Sequence, residues 1–319
     1  MDIRKIIKFG NSSHVVSLPN TWIKKNNLKK GDVVYFEENG NNELIFRLNS
    51  APKKPKKRIL INSTNKAIED LNREIISSYI KGYSTIEIMD DNLPDRGKAI
   101  NGLLQNLIGL EILEQTQKRI IAKDLSDIAA IPLSGIIKRM DVIVRSMTED
   151  SIASINLSDK EITKAIDSIN DRDISVNRLY FLGYRVLRFL IDNPRYAEKD
   201  NISYSKIYSY MLLIDNMEKI GDVIKRITRQ YPHIRKEDKY KEGLYNLLKN
   251  LNILYIDCMK AYRTSDDKLA FQINSGKDVV LKDHNQFLNH YSDPKTARIC
   301  EYLNSMLVYI RNITRSIYQ

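Results

Sequence analysis

Cysteine, histidine and long apolar segments are scarce in this chain of 319 residues. Its two cysteines, Cys258 and Cys300, are too few and too isolated for a disulfide framework or a metal–thiolate motif, which favours a reducing compartment. No apolar run approaches the roughly 18 residues that a membrane span requires. The N-terminus also lacks the apolar segment of a secretory signal. We therefore expect a cytoplasmic protein without membrane insertion.

The motifs of common enzyme classes are missing as well. The sequence has no phosphate-cradling P-loop, no nucleophile elbow, no His-rich metal pattern and no GxGxxG after a predicted strand. Its 42% of hydrophobic and 29% of charged residues are typical of a globular protein, and the length allows two or three domains. We expect a protein that is not an enzyme.

Positive charge is concentrated at the N-terminal end. Residues 1–58 contain 13 Lys and Arg but only five Asp and Glu, so they contribute +8 of the formal net charge of +11. Such a distribution indicates a polyanionic partner, with nucleic acid ahead of an anionic membrane surface. The alternative is a basic surface that only increases solubility.

The first fifty residues have the pattern of a small β-rich unit. Asn39-Gly40 is a hairpin signal between two predicted strands. A unit of this length is marginally stable alone, so we expect it to dimerise. A short helix is predicted at 22–27, and strands are predicted at 4–9, 14–18, 33–37 and 43–48.

Four pieces of this unit form a pattern: RKIIKFG at 4–10, VVSLP at 15–19, Trp22 and LKKGD at 28–32. Together they resemble the SpoVT/AbrB swapped-hairpin family. The resemblance implies an intertwined β-barrel dimer that binds DNA through its first strand and the following loop, with contacts to phosphates that weaken in salt. An edge strand protected by charge is the alternative. By position, the DNA-binding residues would be Arg4, Lys5, Lys8, Asn11 and Ser12.

A linker and a second unit are predicted next. Residues 51–58, APKKPKKR, indicate an extended basic linker, because prolines and like charges disfavour compact structure. Residues 59–132 then predict a small α/β spacer. Its predicted helices lie near 65–80 and 95–107, and its strands at 59–62, 85–88 and 119–123.

From residue 133 onward, proline and glycine become rare and the helical period dominates. Ser158 and Glu161 match a capping box, and Asp293-Pro294 matches a helix start. Six helices in two sets of three imply a repeat, with units near 133–232 and 236–319. The helices are predicted at 133–149, 158–192, 203–230, 236–264, 266–290 and 294–317.

Five pieces form a second pattern: YIKGY at 79–83, LIGLE at 107–111, the segment 139–147 that begins with Arg-Met and ends with Ser-Met, NRLYFL at 177–182 and MEKIGD at 217–222. Together they resemble the PhoU phosphate-uptake regulators, and the domain order resembles an archaeal type with a fused SpoVT/AbrB domain. The resemblance implies a role in phosphate homeostasis. The expected fold is multidomain and mainly α, with a swapped-hairpin β-barrel, an α/β spacer and a PhoU-like pair of three-helix bundles.

The same resemblance implies metal clusters at E(D)xxxD motifs in several members. Glu218 and Asp222 match this motif, and the corresponding pair on the preceding helix is Asp173 and Asn177. The expected ligand is a divalent or ferric cation at one half-site. Asn177 supplies one anionic oxygen fewer than the usual acid, which weakens binding of a hard cation.

A helix with charge-paired side chains is the alternative for this segment. Asp215 with Lys219, and Asp222 with Arg226, have the i, i+4 spacing of ion pairs. Such pairs would explain the acids without any metal.

Three functions remain open from the sequence. The first is a homodimeric transcriptional regulator that binds DNA through residues 1–50 and senses or relays phosphate status through the bundle. The second is an adaptor whose bundle docks on a phosphate transporter or signalling protein, while the barrel serves for dimerisation. The third is an antitoxin-like DNA binder, against which the long helical bundle argues.

Overall fold

The computed structural model describes residues 3–38, 43–48, 57–199, 201–235 and 237–318. The chain divides into two compact units, Met1–Pro55 and Lys56–Gln319. The predicted hairpin turn Asn39-Gly40 and residues 51–56 of the predicted linker lie outside the described residues.

The N-terminal unit is built from short strands and one short helix. Gly10 follows the first strand with φ of +69°, a conformation that glycine adopts without steric cost. The first strand is shorter than the predicted 4–9, so Arg4 and Lys5 precede it. The elements are β1 (Ile7–Phe9), β2 (Ser13–Val15), α1 (Asn20–Lys25), β3 (Tyr35–Glu38) and β4 (Leu44–Arg47).

These strands form two antiparallel pairs. Strand β1 pairs with β2, and β3 pairs with β4. Within the described parts of this unit, the two pairs are separate sheets and do not close into the predicted barrel. The barrel therefore stays a prediction for an assembly of two chains.

The second unit starts with an α/β layer. Its sheet has the order β5-β6-β8-β7 in the described region, with β5 parallel to β6 and the other neighbours antiparallel. Helices α2 and α3 share a buried core with this sheet. The elements are β5 (Arg58–Asn62), α2 (Ile68–Ile80), β6 (Thr85–Met89), α3 (Leu93–Gln105), β7 (Leu110–Gln115) and β8 (Arg119–Asp124).

Two details of this layer differ from the sequence-based expectation. Arg58, predicted as the end of the linker, is the first residue of β5. Strand β7 was not predicted, because a bulge between Ile112 and Glu114 interrupts the alternation of its side chains.

The remaining chain is helical. Ser158 donates its backbone N–H to Glu161, and Asp293 accepts the N–H groups of Lys295 and Thr296, so both predicted helix starts are confirmed. Between residues 133 and 318, the described helices are α4 (Leu133–Ser154), α5 (Asp159–Asp192), α6 (Pro194–Lys199), α7 (Tyr204–Thr228), α8 (Asp238–Thr264), α9 (Asp267–Ser275), α10 (Lys277–His290) and α11 (Pro294–Arg315).

The predicted single helix 266–290 is wrong, since the structure divides it into α9 and α10. Gly276 lies at the break, where it ends one helix and precedes the next. Glycine weakens a helix interior by about 1 kcal/mol relative to alanine, which makes it a favourable place for a break.

Helices α4, α5 and α7 pack together, and α8 packs with α9, α10 and α11. Contacts of α7 with α11 and of α4 with α8 join the two sets, and one continuous apolar core runs through both. In the described part of the chain, none of the helices is long and apolar enough to cross a membrane.

Candidate functional site

The first candidate site is the basic hairpin, which we define as residues 4–15. Lys8 lies directly opposite His14 across the β1–β2 pair. Residues opposite each other in an antiparallel pair lie on the same face, so Lys8 and His14 form one polar face of the hairpin. The five residues predicted to bind DNA are all exposed: Arg4, Lys5, Lys8, Asn11 and Ser12.

The turn of the basic hairpin contains two of these five residues. Asn11 and Ser12 follow Gly10 between the two strands. They therefore lie at the tip of the hairpin, outside the paired part of the strands in which Lys8 faces His14. Short polar side chains at such a tip can donate hydrogen bonds to phosphate oxygens, while the cation on the adjacent face supplies the attraction.

The opposite face of the hairpin is apolar and uncovered. Ile7 is paired with Val15, and Phe9 with Ser13, on the face away from Lys8. The exposed fractions are 59% for Ile7, 70% for Phe9 and 44% for Val15. An exposed apolar strand face is typical of a surface that another chain covers.

Apolar side chains are exposed to solvent throughout the N-terminal unit as well. No side chain that the structure describes between residues 3 and 48 is buried. Val33, Phe36 and Leu44 are 66%, 70% and 57% exposed. The unit therefore leaves a substantial apolar surface for a partner to bury.

The second candidate site is the acidic face, which we define as Asp173 and Asn177 on α5 with Glu218 and Asp222 on α7. Asp173 and Asp222 lie close together, and both contact the same ammonium group. The Nζ atom of Lys225 lies 2.8 Å from Asp173 Oδ2 and 2.7 Å from Asp222 Oδ1. Asn177 donates its amide to Asp173 Oδ2 over 3.3 Å.

The alternative interpretation from the sequence was a helix with charge-paired side chains, and both of its predicted ion pairs are confirmed on α7. Lys219 bonds Asp215, and Arg226 Nη2 lies 2.7 Å from the second oxygen of Asp222. Basic side chains of α7 thus compensate Asp215 and Asp222 on the same helix, and Lys225 of α7 also compensates Asp173 on α5.

Burial and neighbouring charges shift the pKa values of two side chains at the acidic face. Burial, followed by the nearby charges of Asp222, Asp173 and Asp215, raises the pKa of Glu218 to about 7. Burial by itself lowers the pKa of Lys225. Its hydrogen bonds to Asp173 and Asp222 outweigh this effect, so the pKa of Lys225 is raised overall.

This arrangement does not fit a metal ion. A hard cation needs several anionic oxygens that no other cation has already neutralised. Here the ammonium group of Lys225 takes that position between Asp173 and Asp222. Throughout the described ranges, no group of three or more His, Cys, Asp or Glu side chains could hold a metal. The metal assignment of these residues receives no support from their geometry, and we propose no metal function.

Two residues of these sites were missed from the sequence. His14 lies opposite Lys8 in the basic hairpin. The alternation of side chains along one strand does not determine which residues of the next strand it faces. Lys225 lies three residues after Asp222, so helical spacing could have identified it as the internal cation.

The comparisons with known protein families agree with these two regions. A family model described as "Antidote-toxin recognition MazE, bacterial antitoxin" matches residues 7–58. A second, the PhoU domain, matches residues 137–230, which extend from α4 to just beyond α7. No curated protein and no solved structure matches the chain.

The chain therefore combines a MazE/AbrB-type domain with a PhoU domain, as the resemblances predicted. The PhoU match ends at residue 230, before α8 begins. The second bundle as a further repeat stays a prediction.

Proposed function

We propose that this protein is a homodimeric transcriptional regulator of phosphate uptake that binds DNA through its N-terminal unit. The MazE/AbrB-type domain supports DNA binding, and the PhoU domain supports a role in phosphate homeostasis. Both are regulatory rather than enzymatic families. The helical part of the chain from residue 133 onward, which we call the helical unit, is the sensing or relay module, and the protein acts in the cytoplasm.

The division of the two hairpin faces carries this proposal. Lys8 and His14 lie on one face, and Ile7, Phe9 and Val15 lie on the other. Two copies that pack by their apolar faces present both polar faces outward. A paired basic surface of this kind suits the two backbones of a duplex, with Asn11 and Ser12 at the tips and Arg4 and Lys5 beside them.

A salt series of DNA binding tests the proposal. Fluorescence anisotropy would compare the full-length protein on DNA from its own promoter and from phosphate-transporter promoters with its binding to unrelated DNA. We expect a specific affinity that falls with salt, and a shallower salt dependence for Arg4→Ala with Lys8→Ala, because each lost phosphate contact lowers the slope by about 0.9.

Lys160→Ala with Lys164→Ala in α5 is the matched control, since it removes the same two positive charges from exposed positions of the helical unit. It is expected to leave binding unchanged. Absence of any specific binding, or no effect of the double substitution, contradicts the proposal.

An adaptor function is the second candidate, and the PhoU domain favours it. In this case the helical unit binds a phosphate transporter or a signalling protein, while the N-terminal unit only dimerises. Intact phosphate control after neutralisation of Arg4 and Lys8, together with capture of a transporter ATPase by the full chain, would favour the adaptor. Loss of control with the same substitutions would favour the DNA-binding regulator.

A further inference from the structure

A cavity of about 590 Å³ lies between the first half of α4 and the end of α8. It is separate from both the basic hairpin and the acidic face. Cavities of roughly 300–1,000 Å³ are the size that small-molecule sites occupy in proteins. The volume is therefore sufficient for a ligand with several rings or a short chain.

Much of the cavity wall is apolar. Ile137 on α4 and Met259 on α8 are 3% and 1% exposed, and they line the cavity together with Tyr262. Val142 lines the cavity but is 59% exposed, so a ligand could cover it. Such a wall favours the apolar body of a ligand over a fully hydrated ion.

The rest of the wall is charged, with an excess of cations. Asp141 is buried between two arginines, with Arg145 Nε 2.8 Å from Oδ1 and Arg263 Nη1 3.1 Å from Oδ2. Lys138 also lines the cavity and is exposed. Three cations around one carboxylate leave a net charge of about +2, which attracts an anion.

One of these cations has a hydrogen-bond donor to spare. The Nη2 atom of Arg145 is buried and has no hydrogen-bond partner among the described residues. A buried donor without a partner is unfavourable, and a charged donor is more so. Because Arg145 lines the cavity and its Nη2 atom is closed to solvent, a rotation of the guanidinium group would present this donor to an oxyanion there, and guanidinium groups bind carboxylates and phosphates through paired N–H groups.

We propose that this cavity binds a small organic anion. Its carboxylate or phosphate faces Arg145 and Lys138, and its apolar body covers Ile137, Met259 and Tyr262. Inorganic phosphate alone would leave the apolar wall uncovered, and a neutral apolar molecule would leave the donor of Arg145 unsatisfied. The site goes beyond the proposed DNA binding and does not depend on it.

Isothermal titration of the full-length protein tests the site directly. The probes are naphthyl phosphate, naphthoate, naphthol and inorganic phosphate. We expect at least one naphthyl anion to bind about tenfold or more tightly than naphthol, since an ionised oxyanion forms stronger hydrogen bonds with these cations than a neutral hydroxyl group does. Binding of naphthyl phosphate, of naphthoate or of both supports the proposal. The result also identifies which oxyanion the site accepts.

A pair of charge reversals on α4 locates the binding. Lys138→Glu alters a residue that lines the cavity, and Arg139→Glu makes the same change in charge at the next, exposed position outside the lining. We expect Lys138→Glu to weaken the naphthyl anion about tenfold, whereas Arg139→Glu has little effect. Val142→Trp fills the cavity and is expected to abolish binding of all naphthyl compounds, with the fold checked by circular dichroism.

Three results would overturn the proposal. The first is binding of naphthol as tight as that of both naphthyl anions, which would indicate a purely apolar groove for a peptide or a second chain. The second is an equal effect of Lys138→Glu and Arg139→Glu. The third is no binding of either naphthyl anion at millimolar concentration.

Discussion

The N-terminal unit and the helical unit expose very different amounts of apolar surface. In the N-terminal unit, no described side chain between residues 3 and 48 is buried, and Phe9 and Phe36 are each 70% exposed. In the helical unit, one core extends from Leu133 to Ile313. The same chain thus contains one region whose apolar side chains stay uncovered and one that encloses its own core.

This difference follows from size and periodicity. Three-residue strands such as β1 and β2 have too few side chains to enclose an apolar interior within one copy. Long helices present an apolar stripe over many turns, so a few of them enclose a core. The first region therefore leaves its apolar side chains uncovered, as the proposed dimer requires, whereas the second encloses its own core.

The largest expected effect comes from breaking the contact between the helical bundle and the α/β layer. Arg185 on α5 is 4% exposed, is paired with Asp124, and lies with its guanidinium carbon 4.4 Å from the centre of the Tyr79 ring. Arg185→Met leaves Asp124 as a buried charge without its partner, so we expect a loss of about 3–5 kcal/mol in the free energy of unfolding. Urea unfolding would measure it.

The control for this substitution lies one turn away. Arg188 is paired with Asp192, but its side chain is 55% exposed. Arg188→Met should therefore cost about 0–1 kcal/mol. The double variant Arg185→Met with Asp124→Asn should recover part of the loss, and equal effects at positions 185 and 188 would contradict the assigned role.

The second effect concerns the apolar face of the N-terminal unit. Phe9→Ser removes an aromatic side chain that two packed copies would bury, so the dissociation constant of the dimer should rise about a hundredfold. Sedimentation equilibrium would measure the change. Lys8→Ser, on the opposite face of the same strand, should leave the dimer intact. A wild-type protein that is monomeric at micromolar concentration would contradict the assignment.

The third effect is a dependence of stability on pH in the helical unit. Glu218 has a pKa of about 7 in the folded state against 4.5 for the free side chain. The unfolded state therefore releases this proton first, and the free energy of unfolding falls as the pH rises from about 4.5 to about 7.

Glu218→Gln cannot ionise, so it should be about 1–2 kcal/mol more stable than the wild type at pH 8 and nearly equal to it at pH 5, allowing for partial solvent screening. Urea unfolding across this pH range would show the difference. The exposed Glu149→Gln is the control and should follow the wild type. A Glu218→Gln curve that parallels the wild type would refute the assigned pKa shift.

The smallest expected effect is at Gly276, which we compare with Gly243 in the same second bundle. Gly276 has φ of −73°, and a Cβ atom there would meet its nearest neighbour at 3.6 Å. Gly276→Ala should stabilise the protein by about 0.5 kcal/mol by restricting the unfolded chain. At Gly243 a Cβ atom would lie 2.7 Å from Phe287, so Gly243→Ala should destabilise it by about 1–3 kcal/mol. Thermal unfolding would check both, and the same sign for both would contradict this account.

Local signals in the sequence determined much of the helical unit. The capping box at Ser158 and the Asp293-Pro294 start depend on neighbouring residues alone, so both helix starts were predicted correctly. The end of α5 at Asp192, before Asn193 and Pro194, was predicted for the same reason. Gly276 was visible too, but the sequence does not say whether a helix tolerates a glycine or breaks at it.

Only the tertiary structure decided the partners of the charged groups. Helical spacing placed Glu218 and Asp222 on one helix, but not Asp173 of α5 against Lys225 of α7, which are 52 residues apart. The cavity between α4 and α8 likewise brings Lys138 and Arg145 to Arg263, more than a hundred residues later. Contacts between distant residues arise from the packing of whole helices. The sequence therefore determined which side chains each helix presents, and the fold determined which of them meet.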